Sequence, residues 1–189
     1  MLYHEKHLTG KLYAECGIDV RNCYQCGKCT AGCPMAEEMD YPPSFLLRLL
    51  QTNSEANYRK VLESKSIWFC VGCEQCIGRC PKEVDVPVLM DWLREESLAA
   101  RAVHREGRDI VRFHRAFLDS IKYTGRLSEV GLIADYKLRS GHLWQDVVLA
   151  PSMWLKGKLH FIPEFVKDTK GIRALFRKSA PRKGKEVRP

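Results

Sequence analysis

The sequence predicts an almost wholly α-helical protein, and three observations carry that reading. Apolar residues recur at helical spacing over most of the chain outside its cysteine-rich stretches. A cysteine pattern is written twice, 47 residues apart, and the spacer between the copies reads as helices rather than strands. Each copy is followed by the same order of features: a cysteine loop, a proline-marked turn, then an amphipathic helix.

Taken in order, the first cysteine run ends at Cys33-Pro34. Pro42-Pro43-Ser44 then opens a helix on which Phe45, Leu46, Leu49 and Leu50 share a face. Asn53-Ser54 supplies turn and N-cap signals for a second short helix over roughly Glu55 to Glu63. After the second run, Val86-Pro87 opens a third helix, with proline tolerated in its first turn and Val88, Leu89, Trp92 and Leu93 as the apolar stripe. Beyond Gly107 the cysteines stop while the periodicity continues. Ile110, Phe113, Phe117 and Ile121 mark a face ending at Thr124-Gly125. Val130, Ile133 and Leu138 predict a helix between Ser128 and Ser140. The stretch from Leu143 to Leu155, with Trp144, Met153 and Trp154, is expected to be broken by Pro151. His104 and His114 read as residues of a solvated helix face, with no ligand partner at metal-binding spacing.

The cysteines carry the chemistry. Cys23, Cys26, Cys29 and Cys33 precede Pro34 with the spacing C-x2-C-x2-C-x3-C-P, and Cys70, Cys73, Cys76 and Cys80 precede Pro81 with the same spacing. This doubled run is the signature of ferredoxins with two [4Fe–4S] clusters, in which the fourth cysteine of each run ligates the other cluster. Applied here, Cys23, Cys26, Cys29 and Cys80 hold the first cluster, and Cys70, Cys73, Cys76 and Cys33 hold the second. A structural zinc site needs only four ligands, usually as two separated pairs, so each loop would leave a thiolate over. A disulfide framework needs export, and the opening residues, charged throughout, do not read as a leader. Cys16, the ninth cysteine, reads as a small buried apolar residue, with a spare ligand or redox-sensitive thiol as the alternative. Lys28 and Lys82, close to motif cysteines, either favour the reduced clusters by Coulomb attraction or are ordinary surface lysines.

Composition bounds the rest. The 189 residues carry a net charge of +8, of which the segment from Gly171 to Pro189 supplies +6. Its basic residues are Arg173, Arg177, Lys178, Arg182, Lys183, Lys185 and Arg188, against Glu186 alone. With Pro181 and Gly184 among them, this tail reads as disordered or bound to a partner. Basic arms also track nucleic acid, but no aromatic residue follows Phe176 to stack on bases, so no nucleic-acid partner is expected. No apolar run approaches the roughly 20 residues that cross a bilayer. Reduced cysteines and no visible leader point to the cytoplasm. No dinucleotide fingerprint or nucleophilic triad stands out, so no catalytic residue is assigned. The expected organisation is a cluster-binding domain over 1–106, a helical extension over 107–170 that docks on a partner, and a basic tail over 171–189.

The words around the cysteines narrow this further. The segments Cys23-Tyr24-Gln25-Cys26-Gly27-Lys28-Cys29-Thr30-Ala31-Gly32-Cys33-Pro34, Asp40-Tyr41-Pro42-Pro43, Trp68-Phe69-Cys70-Val71-Gly72-Cys73-Glu74-Gln75-Cys76 and Lys82-Glu83-Val84-Asp85-Val86-Pro87 resemble the C-type iron–sulfur subunit of heterodisulfide reductase, over residues 11 to about 100. The cluster region also resembles the α-helical ferredoxin domain. The resemblance implies a non-catalytic electron-transfer subunit of an oxidoreductase, with two [4Fe–4S] clusters, in a hetero-oligomer. Two heterodisulfide reductase partners are implied. The A-type partner is a flavoprotein able to bifurcate electrons, and the B-type partner reduces the disulfide of coenzyme M and coenzyme B. A hydrogenase or formate dehydrogenase module often feeds such complexes, which are anaerobic and serve methanogenesis. Two other readings stay open: an iron–sulfur subunit of a flavin dehydrogenase of the glycerol-3-phosphate or succinate type, and a zinc-bound nucleic-acid-binding module.

Overall fold

The computed structural model describes residues 8–144, 147–157 and 165–179, and among them there are helices and no β-strand. They fall into two compact units, one running to Gly107 and one starting at Arg108.

The first unit contains α1 (Leu8–Cys16), α2 (Lys28–Ala31), α3 (Pro43–Gln51), α4 (Glu55–Leu62), α5 (Ser66–Phe69), α6 (Gln75–Arg79) and α7 (Val86–Ala99). Its frame is an internal repeat. Helices α3 and α7 both begin with proline in the first turn, and their buried positions match in register: Leu46 with Leu89, Leu47 with Met90, Leu49 with Trp92, Leu50 with Leu93. Each fully buried aliphatic side chain of this set contributes about 1.5–3 kcal/mol of apolar burial. The stripes differ by one residue each from the expected ones. Phe45 and Val88 stand at the edges of their helix faces and are exposed, while Leu47 and Met90 are inside. Both exposed residues lie about 120° from the centre of the buried face, where a helix turns toward solvent.

Polar ties close the bundle. Glu96 on α7 accepts from Lys11 Nζ on α1 at 2.5 Å and from the Tyr58 hydroxyl on α4 at 2.9 Å. Ser97 Oγ donates to the Leu62 carbonyl at 2.8 Å, and Trp92 Nε1 donates to Glu15 at 3.0 Å. Burial, and then the Glu96 carboxylate, push the Tyr58 phenol far above its usual range. The Asp85 carboxylate caps α7 by accepting from Val88 N at 3.1 Å. Helix α1, which the periodicity did not predict, buries Leu12 completely.

The second unit comprises most of α8 (Gly107–Thr124), with α9 (Glu129–Ser140), α10 (Ala150–Leu155) and α11 (Thr169–Ser179). Arg139 on α9 pairs with Asp119 on α8 and with Asp135, both at 2.8 Å, and Tyr136 meets Phe113 edge-on with ring centroids 5.9 Å apart. Ser128 caps α9 through Gly131 N. Its apolar face is not the expected one: Leu132 is buried, whereas Ile133 and Leu138 are exposed. On α8 the fully buried side chain is Ala116, and Phe113 is exposed. Pro151 lies in the first turn of α10, where no amide is needed, and a separate 3-10 turn over Val147–Leu149 precedes it. His104 precedes α8 in a turn, its Nδ1 accepting from Glu106 N at 3.2 Å, rather than on a helix face. His114 is exposed on α8. The start of the basic tail, expected to be disordered or partner-bound, is helical as α11, and Arg173 Nη2 donates to the Tyr123 carbonyl at 3.3 Å. Arg182, Lys183, Lys185 and Arg188 lie outside the described residues, as does the side chain of Trp154.

Candidate iron–sulfur centres

The two cysteine loops repeat in backbone as well as in sequence. Cys23 N donates to the Val20 carbonyl at the end of a single 3-10 turn, and Cys70 N donates to the Ser66 carbonyl at the end of α5. Each loop then needs two left-handed residues. Gln25 and Gly72, two residues past the first cysteine, have φ of 62° and 63°. Gly27 and Glu74, one past the second cysteine, have φ of 76° and 60°. Each loop thus has one glycine and one ordinary residue at these places, with the order swapped. Alternating left- and right-handed residues turn successive amides toward one concavity, the geometry that receives anions and iron–sulfur groups. A non-glycine residue in this region costs about 1 kcal/mol, so the loops carry local strain.

The third cysteine of each run sits in a short helix, Cys29 in α2 and Cys76 in α6, and these two helices pack against each other. The approach is close at Gly32, where a Cβ would run into the Arg79 guanidinium. The fourth cysteine follows in each case. Cys33 N donates to Thr30 and Cys80 N to Ile77, both at 3.0 Å. Cys33 lines one cavity with Cys70, Cys73 and Cys76 of the other loop, walled by Met35, Met39, Pro43, Val86, Pro87 and Met90. On the other side, the Tyr24 phenol is pushed up by desolvation and then by the neighbouring Cys26, Cys80 and Cys23. A wider cleft, lined by Arg21, Cys23, Tyr24, Gln25, Arg48 and Gln51, opens on that side.

The donor set suits iron–sulfur clusters. Burial, followed by the neighbouring Cys70, pushes the Cys76 thiol up to about 11, and burial likewise raises Cys29. Thiols crowded in apolar surroundings in this way resist ionising without a cation among them. Among the described residues no group of three or more His, Cys, Asp or Glu is gathered tightly enough to hold a single metal ion. None of the nine cysteines is paired in a disulfide. Two sulfurs already accept hydrogen bonds: Cys80 Sγ from Val84 N at 3.3 Å, and Cys23 Sγ from Gln25 Nε2 at 3.5 Å. Cys16 is outside both groups and turns its Sγ back to the Leu12 carbonyl of its own helix at 3.0 Å. Lys28 and Lys82 are both exposed.

Sequence reasoning missed the residues that hold the loops in place. Gln51 Nε2 donates to the carbonyls of Val20, at 2.8 Å, and Cys23, at 2.6 Å. Arg94 does the same in the other half, from Nε to Ile67 at 2.6 Å and from Nη2 to Cys70 at 2.5 Å. Asp40 accepts from Ser66 Oγ at 2.5 Å, Ser66 N at 3.1 Å and Lys65 N at 3.2 Å, fastening the entry to the second loop. Extending the repeat past the cysteines into the proline-started helices would have exposed Gln51 and Arg94, each the ninth residue of its helix.

The class follows from these features: residues 19–84 match the 4Fe–4S dicluster domain family, and two [4Fe–4S] clusters in an all-α setting are what the chain is built to hold. Among curated proteins, the chain is similar to the C-type subunits of several heterodisulfide reductases. It is 38% identical over 82 residues to that of the ferredoxin:CoB–CoM heterodisulfide reductase of Methanosarcina acetivorans, covering 43% of this chain and 31% of that protein. It is 35% identical over 69 residues to the C-type iron–sulfur subunit of the CoB–CoM heterodisulfide reductase of Methanopyrus kandleri, covering 36% and 34%. With the C-type subunit of the H2:CoB–CoM heterodisulfide,ferredoxin reductase of Methanothermobacter thermautotrophicus it shares 26% over 96 residues, covering 51% and 50%. The chain thus spans between about a third and a half of the length of these relatives. Among the described residues no helix is long and apolar enough to cross a membrane.

Proposed function

We propose that this chain is the electron-transfer subunit of a heterodisulfide-reductase-type complex, located in the cytoplasm and working between a flavin-containing A-type partner and a disulfide-reducing B-type partner. The disulfide is that of coenzyme M and coenzyme B or a related one. In this reading Cys23, Cys26, Cys29 and Cys80 hold the first cluster, and Cys70, Cys73, Cys76 and Cys33 hold the second. The observation that carries the assignment is the cavity shared by Cys33 with Cys70, Cys73 and Cys76. A bound [4Fe–4S] cluster takes up and releases one electron at a time. The chain's own residues do the rest. Met35, Met39 and Met90 give the second site an apolar wall. Gln51 and Arg94 fix the carbonyls at the entry of each loop, and the packing of α2 on α6 sets the spacing between the halves.

The Cys33→Ala variant, purified anaerobically, tests the crossed assignment. Iron content is expected to fall from about eight to about four per chain, with loss of the EPR signal of the Cys70 loop's cluster. Loss of the other cluster instead would refute the crossing. Affinity capture from native anaerobic lysate tests the assignment to a complex. A flavoprotein and a cysteine-rich, disulfide-reducing protein are expected together, and recovery of a flavin dehydrogenase alone would reject it.

A further inference from the structure

The repeat provides a comparison between its own halves. Gln51 and Arg94 occupy the same register, the ninth residue of α3 and of α7. Each donates two hydrogen bonds to the same pair of carbonyls: that of the first cysteine in its run and that of the residue three before it. In the first half a neutral amide performs this task completely. Two hydrogen bonds are therefore all that the position demands of its side chain. The guanidinium of Arg94 adds a fixed positive charge that the clamp does not need. That charge is held against the backbone of Cys70, with the side chain only 24% exposed.

Resting on the two-cluster reading above, we propose that Arg94 is a potential-setting residue, whose charge raises the reduction potential of the cluster held by the Cys70 loop. Reduction adds one negative charge to a cluster, and a nearby fixed cation lowers the energy of that added charge. The residue aligned with Arg94 places no charge at the first loop. Other charges modulate this without replacing it. Asp91 bonds Arg94 Nη1 at 2.8 Å and offsets part of its field, but at 73% exposed its own charge is well screened by water. Its aligned partner Arg48 is exposed and lines the first cleft, and Lys28 near Cys29 and Lys82 near Cys80 are exposed. Solvated cations of this kind act weakly compared with a guanidinium pinned to a ligand's carbonyl.

The test is an EPR-monitored redox titration of the intact chain with both clusters in place, comparing wild type with Arg94→Gln, Arg94→Lys and Asp91→Asn. Arg94→Gln copies the neutral clamp of the other half. It should lower the second cluster's reduced-to-oxidised ratio at fixed ambient potential by roughly three- to tenfold, tenfold being about 59 mV for one electron, and leave the first cluster where it was. Arg94→Lys keeps the charge and should restore most of the wild-type potential, whereas Asp91→Asn should raise it. An Arg94→Gln protein whose second potential does not move, or moves no more than the first, overturns the proposal. So does an Arg94→Lys protein displaced as far as Arg94→Gln, because geometry would then be the cause, or an Arg94→Gln protein that loses the second cluster. Wild-type protein that carries fewer than two clusters would instead overturn the reading on which the proposal rests.

Discussion

Replacing Asp40 with alanine should loosen the entry to the second cysteine loop while leaving the first loop intact. Asp40 lies just before α3 and reaches across 26 positions of sequence to Ser66 and the neighbouring Lys65, accepting at 2.5, 3.1 and 3.2 Å. Hydrogen bonds to a charged acceptor are each worth about 1.5–3 kcal/mol, but they are not additive. Asp40 is also at the surface, where water takes over the amides it leaves. The net cost is therefore near that of a single such bond, about 2 kcal/mol. For a domain of this size it corresponds to a fall in apparent melting temperature of about 8–16 °C. Anaerobic thermal scans at a fixed rate, followed by far-UV circular dichroism and by cluster absorbance, measure it, and the EPR signal of the Cys70 loop's cluster should go first. The pH dependence has a definite sign. Burial raises the Asp40 carboxyl, but the bonds from Ser66, Lys65 and Ser64 outweigh it and hold the group below its ordinary value. Its contribution is thus full above the ordinary value and is lost as pH falls below about 4, through the folded-state value. The difference between wild type and Asp40→Ala should be constant from about pH 5 to 8 and shrink below about pH 4. An unchanged melting temperature, a difference that widens in acid, or equal loss of both clusters would refute this reasoning.

Two further outcomes are expected. Gly107→Ala would set a Cβ 2.6 Å from Cδ1 and Cγ of Trp68, a ring only 6% exposed and unable to swing away, so calorimetry should show destabilisation by about 1–3 kcal/mol; wild-type stability would show that the contact relaxes freely. Cys16→Ala should leave iron content unchanged, and in the wild type the Cys16 thiol, raised by burial, should alkylate slowly near neutral pH; a loss of iron in that variant would make Cys16 a ligand.

The cysteine spacing and the helical periodicity are local properties, and local chemistry determined them. A cubane's corners dictate how far apart three cysteines of one loop lie, and proline at the first turn of a helix is favoured wherever an amide has no acceptor. Those signals were sufficient for the cluster type and for the helices Pro43–Gln51, Glu55–Leu62 and Val86–Ala99. They were insufficient for which face each helix buries. Phe45, Val88, Ile133 and Leu138 are as apolar as the residues that replaced them inside, and only the packing partners distinguish them. The sequence by itself thus determined what this protein binds. Only the tertiary structure decided how the two halves differ, because the carbonyls of Cys23 and Cys70 meet Gln51 and Arg94 through contacts 28 and 24 residues apart. A neutral clamp and a charged one become comparable only when both have folded onto their loops.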